Sequence, residues 1–261
     1  MSESSASVRS FPPVGTPEFW AEYMALYDEG VGTLFPYREL VAEVAGQALL
    51  AAAPITVLDA GCGTGNVGVR LAESSRVMRY IGVDQNRSAI DIAREKLRGP
   101  HRCIQLDATL HTVNLDEDWV EHPRPLGKAG IDVVVCTNVL YTLAAPDRFI
   151  NRVASLLRSG GRLVLSNPYR TEPEVILRAH QQWLIERSTP EQFREDEVRG
   201  PMRRDFLAAN RLIAAASKRH EQHFLSPDEL TVLLGRNRLR PIYTNPEAYA
   251  GTNVTIAAVR E

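Results

Sequence analysis

Apolar positions along this chain fall into two patterns, short β-branched runs and longer stretches at helical spacing, and through the middle of the sequence the two alternate. Ile55–Asp59 (ITVLD), Arg79–Asp84 (RYIGVD), Arg102–Asp107 (RCIQLD), Ile131–Thr137 (IDVVVCT) and Arg162–Asn167 (RLVLSN) read as strands. Runs this short and this continuously apolar suit a parallel sheet buried on both faces. Helical patterns lie between them at Val67–Ala72, Ser88–Leu97 and Pro146–Arg158, the last stopped by Ser159-Gly160-Gly161. After a capped helix opening at Ser226-Pro227-Asp228-Glu229-Leu230, residues 240–246 and 252–259 read as two more strands. The expected fold is α/β: a doubly wound, mostly parallel seven-stranded sheet flanked by helices.

Two regions interrupt that rhythm. Residues 1–15 are rich in Ser, Pro and Gly and are expected to be disordered. Thr16-Pro17-Glu18 combines an N-cap, a first-turn proline and an early acid, and opens a helix carrying Trp20, Tyr23 and Tyr27. A second helix starts near Pro36 and carries Tyr37, Leu40, Val41, Val44 and Leu49. Residues 16–52 thus form a helical cap before a core at 53–167. Over 168–224 the alternation fails. Two helices are expected there, at 173–187 and 203–220, joined by the charged segment EQFREDEVRGPMRR as a solvated face. This stretch reads as an inserted helical lid, with 225–261 completing the core.

Composition narrows the class without naming a chemistry. The 261 residues are 44% hydrophobic and 24% charged, with a net charge of −2, an ordinary globular balance with no basic excess for nucleic acid. No apolar segment of signal-peptide or membrane-span type stands out, so a cytoplasmic protein without membrane association is expected. Cys62, Cys103 and Cys136 form no CxxC pair and fit a reducing compartment, Cys62 as a small filler in a loop and the other two as core.

The densest motif is Asp59-Ala60-Gly61-Cys62-Gly63-Thr64-Gly65-Asn66, directly after the first strand and opening a helix. Its glycines permit a tight turn and close approach of a ligand to the backbone, and a helix N-terminus suits an anion. The dinucleotide fingerprint GxGxxG would need glycine where Asn66 stands, which counts against a nicotinamide oxidoreductase.

DAGCGTGN resembles motif I of the class I S-adenosylmethionine (SAM)-dependent methyltransferases, of the small-molecule type, and later landmarks agree in register. The resemblance implies that Asp84, with Gln85 after it, meets the ribose hydroxyls of SAM, and that Asp107 and Ala108 lie near the adenine. It further implies that Asn138 and Val139 line the methyl-donor site, and that the Gly61, Cys62 and Gly63 backbone and Asn66 face the methionine end. Asp59 either orders the loop or contacts the amino-acid part of SAM. Cofactor SAM, no metal and a small-molecule acceptor follow, in a monomer or homodimer.

Methyl transfer by in-line displacement at a sulfonium needs alignment more than a base, so the acceptor site need carry no motif. Asn138 stands where ligands bind in open α/β sheets and is a candidate for holding the acceptor or the SAM amino group. Tyr27 and Tyr37 either reach a ligand or pack helices. Tyr169 and Asn167 begin the lid. His180 shares a face with Ile176, Leu177, Trp183 and Leu184 and is either a base or a satisfied core residue. Asn210, between Phe206 and Ile213, could face a cavity. His220 and His223 end the lid in no metal-ligand pattern. Two other readings remain open: the same fold doing non-methyl SAM chemistry that releases methylthioadenosine, and a non-catalytic SAM-binding protein.

Overall fold

The computed structural model describes residues 9–99, 106–117, 130–218 and 222–261. Its centre is one seven-stranded mixed sheet. The strands are β1 (Ile55–Ala60), β2 (Val77–Asp84), β3 (Asp107–Thr112), β4 (Ile131–Thr137), β5 (Leu157–Pro168), β6 (Leu239–Glu247) and β7 (Asn253–Arg260). The spatial order is β3-β2-β1-β4-β5-β7-β6. The first five strands pair in parallel, whereas β7 runs antiparallel to both β5 and β6. The expected α/β sheet is present, with a mixed edge. The order reverses direction between β1 and β4, and an open sheet leaves a ligand crevice at the carboxyl ends beside such a point.

Helices cover both faces. On one lie α1 (Pro17–Ala25), α2 (Phe35–Ala48) and α3 (Asn66–Ala72), whose Phe19, Leu40, Val44 and Leu71 pack on Val57, Val133 and Val135 of the sheet. The other carries α5 (Pro146–Leu156) and α9 (Pro227–Arg236), with Phe149, Val153 and Leu234 on Leu58, Val134 and Leu163. β1 and β4 contribute alternate residues to both clusters, which is why their sequence is continuously apolar. Helix α4 (Arg87–Leu97) follows β2 and is capped by Asn86, whose side chain accepts from the Ala89 amide at 3.1 Å. The expected caps at Thr16 and Ser226 are also present.

Two expectations fail here. Residues 102–105 of the expected third strand and Cys103 lie outside the described residues, and Asp107 begins β3 instead of ending it. Between β5 and α9 the described residues form three helices, not the two expected: α6 (Pro173–Arg187), α7 (Pro190–Val198) and α8 (Gly200–Lys218). α7 occupies much of the segment read as a charged linker, opened by a capping box between Thr189 and Gln192. Among the described residues, no helix is long and apolar enough to cross a membrane.

His180 belongs to this packing and not to the cavity described below. Its Nδ1 accepts the Phe35 amide of α2 at 3.0 Å, supplying a cap that α2 otherwise lacks. Its Nε2 meets Asp196 of α7 at 2.8 Å, and Arg203 of α8 pairs with the same carboxylate. One imidazole therefore joins the first two helical layers to α6–α8. Burial, with the Arg203 and Arg38 guanidinium groups nearby, pushes its pKa down to about 4. Protonating Nδ1 would also remove the lone pair that holds Phe35. The folded state thus favours neutral imidazole, and the unfolded chain takes up the proton first as pH falls. Stability contributed here is complete above about pH 6.5 and is lost between there and about pH 4. Thermal melts across this window should show a falling Tm in the native chain and a shallower fall in His180→Asn, which keeps an acceptor near the Nδ1 position; equal slopes would remove His180 from the account.

Candidate functional site

The carboxyl ends of β1, β2, β4 and β5, the residues beyond β3, the start of β7 and the helices above them line a cavity of about 220 Å³. Its floor is the loop after β1. Gly61, Gly63 and Gly65 all take left-handed φ values, of 79°, 52° and 84°. This lets the Gly61 and Cys62 amides both donate to the Val83 carbonyl, at 2.8 and 3.0 Å, folding the loop back on β2. Two of the glycines are also demanded by space. A Cβ on Gly61 would sit 2.2 Å from Val139 Cγ2, and one on Gly65 2.9 Å from Ala93 Cβ.

Asp84, at the end of β2, is the second element. Its Oδ2 accepts the Gly63 amide at 2.9 Å and its Oδ1 the Asn86 amide at 2.8 Å. Burial raises its pKa from the ordinary carboxylate value, while the Asn86, Gly63 and Gln85 amides oppose the rise. Each carboxylate oxygen accepts from two directions, so this side chain can hold the loop and still receive two hydroxyls from a ligand in the cavity. Asp59 is more deeply buried, with 2% of its surface exposed. Its Oδ2 accepts the Tyr80 hydroxyl at 2.7 Å, and burial pushes its carboxyl up to about 7 in spite of that bond, with the charge of Asp84 adding to the rise.

A polar network ties α1 and α2 to the loop. Asp28 Oδ1 accepts from Thr64 Oγ1 at 2.8 Å and pairs with Lys96 Nζ at 2.5 Å. Lys96 also reaches Asn66 Oδ1 at 2.9 Å, and Asn66 Nδ2 donates to the Tyr37 hydroxyl at 3.3 Å. Asp28 and Lys96 are each about two-thirds shielded from water, so this pair is screened less than a surface one.

On the opposite wall stands Asn138, at a left-handed φ of 57° after β4. Its amide donates to the Ser166 carbonyl at 2.9 Å. Its Oδ1 accepts from Asn253 Nδ2 at 2.7 Å, and Asn253 is itself held by Ser166 Oγ at 3.0 Å. With Oδ1 so engaged, the Asn138 NH2 is left for the Tyr27 hydroxyl, which also bonds Tyr37.

The structure thus brings together Tyr27, Tyr37, Asp59, Gly61, Cys62, Gly63, Asn66, Asp84, Gln85, Asn138 and Val139 around one cavity, with Asn210 at its far side. Four other expected site residues lie elsewhere. Asp107 and Ala108 stand at the start of β3, opposite to its cavity end, and Asp107 pairs with Arg79 at 3.7 Å. Val113–Asp116, just beyond β3, take the wall expected of them. Tyr169 points away and donates to the Pro246 carbonyl at 2.9 Å. His180 is the helix-joining imidazole described above. His220 lies outside the described residues, and His223 acts through its backbone, its amide donating to the Tyr141 carbonyl at 2.8 Å.

Sequence reasoning missed the contribution of the β6–β7 turn, where Tyr249, Thr252 and Asn253 face the cavity, and the anchoring role of Asp28. The available signal was the YAGTN run, a tyrosine and an asparagine bracketing a glycine between two strands.

The loop geometry makes a graded prediction. Gly61→Ala meets both a left-handed backbone and the Val139 side chain, whereas Gly160→Ala, at φ 74°, meets the backbone cost with no atom within 4 Å. Gly160→Ala should cost about 1 kcal/mol and Gly61→Ala roughly 1–3 kcal/mol more. Denaturant titration checks this; equal losses would mean that Val139 gives way freely.

A family model described as a methyltransferase domain matches residues 53–226, more than half of the chain. The ubiquinone biosynthesis O-methyltransferase of Xylella fastidiosa (strain 9a5c) is 30% identical over 115 residues, 44% of this chain and 42% of that protein. The match thus spans less than half the length of that curated relative. Among solved structures, magnesium protoporphyrin IX methyltransferase from Synechocystis PCC 6803 with bound S-adenosylhomocysteine (SAH) has a TM-score of 0.58 at 18% identity, over 93% of this chain and 94% of that one. N-methyltransferase NodS from Bradyrhizobium japonicum WM9 in complex with SAH has a TM-score of 0.54 at 15% identity, over 87% and 88%. At such identities these two likenesses speak for the fold alone. The chain belongs to the methyltransferase-domain family.

Proposed function

We propose that this protein transfers a methyl group from SAM to a small-molecule acceptor. The observation that carries the reading is one cavity in which the glycine loop and Asp84 share walls with residues of α1, α2, α6 and α8. A chamber of about 220 Å³ under helical cover suits a compact acceptor better than a macromolecular one.

The residues present fit SAM by the chemistry of their donor and acceptor sets. Asp84 retains acceptor capacity for a pair of ribose hydroxyls. Val113, Asn114 and Leu115 offer an apolar and amide wall suited to adenine. Gly63 has no side chain and exposes its backbone on the cavity side, and Asn66, Tyr37 and Asn138 supply neutral hydrogen-bonding groups for an amino-acid moiety. When bound, SAM supplies an activated methyl group on a sulfonium. The chain's own task is alignment and exclusion of water. The Asn253–Asn138–Tyr27 series fixes polar groups on one wall, and the Asp28–Lys96 network fixes the cap that covers them. Thr137 Oγ1, buried at the cavity wall with no hydrogen-bond partner, is a further polar atom for a ligand to engage.

Asp84→Ala should weaken SAH binding at least tenfold in calorimetry, since charge-assisted hydroxyl bonds contribute about 1.5–3 kcal/mol each. Asp107→Ala, at the far end of β3, should leave it unchanged. Incubation with SAM and pooled small metabolites should yield SAH; methylthioadenosine in its place would overturn methyl transfer in favour of other SAM chemistry.

A further inference from the structure

We infer that the half of the cavity facing α1, α2 and the β6–β7 turn is an aromatic cage for an organic ammonium group, so that the acceptor is an amine-bearing small molecule. This rests on reading the cavity as the methyl-transfer site. The rings form one continuous series of edge-to-face contacts. Trp20 meets Tyr23 at 5.9 Å between centroids, Tyr23 meets Tyr27 at 5.7 Å and Tyr27 meets Tyr37 at 5.3 Å. Tyr37 meets Tyr249 at 6.1 Å, and on the other side Trp20 meets Tyr141 at 6.4 Å. All six line the cavity. Six rings thus border one space, and an aromatic face carries negative potential towards a cation.

Three further observations bear on the charge and the build of this half of the cavity. The tyrosine hydroxyls stay protonated, because burial raises the pKa of Tyr23, Tyr27, Tyr37, Tyr141 and Tyr249 alike. The cage itself is therefore neutral. Among the described residues lining the cavity, Asp59, Asp84, Asp116 and Glu172 are acidic and Arg170 is the one guanidinium. That guanidinium lies over the Tyr169 ring, outside the lining, at 5.1 Å from its centroid. Asp59 and Asp84 stand at the donor half, which leaves Asp116 and Glu172 as two carboxylates against that one guanidinium. Lastly, the ring that closes the series is held at a cost. Tyr249 and Ala250 take left-handed φ values of 52° and 58° ahead of Gly251 at 76°, and Thr252 donates to the Tyr249 carbonyl through its hydroxyl at 2.8 Å. Such a backbone persists in non-glycine residues only where its surroundings impose it, and it clusters at ligand sites.

The test compares choline with its uncharged isostere 3,3-dimethylbutan-1-ol, by calorimetry on the full chain loaded with SAH. The resident SAH fills the donor half and is itself neutral at sulfur. The expected result is choline binding at least tenfold tighter than the isostere, with Tyr249→Leu lowering choline affinity at least fivefold, Tyr249→Phe retaining it, and SAH affinity unchanged in both. Tyr141→Leu serves the same purpose if Tyr249→Leu does not fold. Equal affinity for the two probes, or a preference for the isostere, would overturn the cage, as would choline and SAH displacing one another. Failure of SAH to bind would instead strike the proposed function; the choline comparison is then read on the free protein and still decides the cage.

Discussion

A chain leaving β1 must reverse onto α3 within a few residues, and where it passes Val139 at position 61 and Ala93 at position 65 there is no room for a side chain. This steric constraint organises the cavity. The left-handed glycines let two consecutive amides reach the Val83 carbonyl, which seats the loop beside the end of β2. That places Gly63 within reach of Asp84, and the Asp84–Gly63 bond then fixes the acid against the cavity. From the same loop, Thr64 and Asn66 reach out to Asp28, Lys96 and Tyr37, so the position of the first two helices depends on it as well.

The cover over the cavity is held from two sides by polar bonds within apolar packing. Near the loop, the Asp28–Lys96 pair fastens the end of α1 to α3 and α4. On the outer side, His180 caps α2 while bonding Asp196, so α6 and α7 cannot move independently of the cap. Between these fastenings the cavity wall is aromatic, and its polar groups are neutral amides and hydroxyls bonded mainly to one another. Such a wall orients a ligand and keeps water out without offering a strong base, which suits a reaction whose donor is already activated.

How much of this was legible depended on how each residue is stabilised. Strands β1, β4 and β5 are buried on both faces, so their apolar runs marked them plainly. β3 is an edge strand with only partly buried residues, and its weak pattern let Asp107 be taken for its end. The loop was legible from its glycines after the first strand, and Asp84 through the family resemblance that those residues carry. α7 was missed because Asp196 is its one buried residue; with no apolar stripe, only the Thr189–Gln192 capping box signalled it. His180, read as either a base or a satisfied core residue, is bonded within the helical packing, and the partners that hold it lie far away in sequence, at Phe35 and Asp196. For Asn253 and Tyr249 the YAGTN run marked a turn between two strands, but their place at the cavity comes from the antiparallel pairing of β7 with β5, a contact distant in sequence.

The central claim is that the glycine loop and Asp84 together form the seat of SAM. The most direct measurement is a crystal structure of the full chain grown with SAH. The account predicts ribose hydroxyls on the Asp84 carboxylate, adenine against Val113–Leu115, and the sulfur turned towards Asn138 and the tyrosine wall. A ligand bound elsewhere, or ribose density away from Asp84, would contradict it.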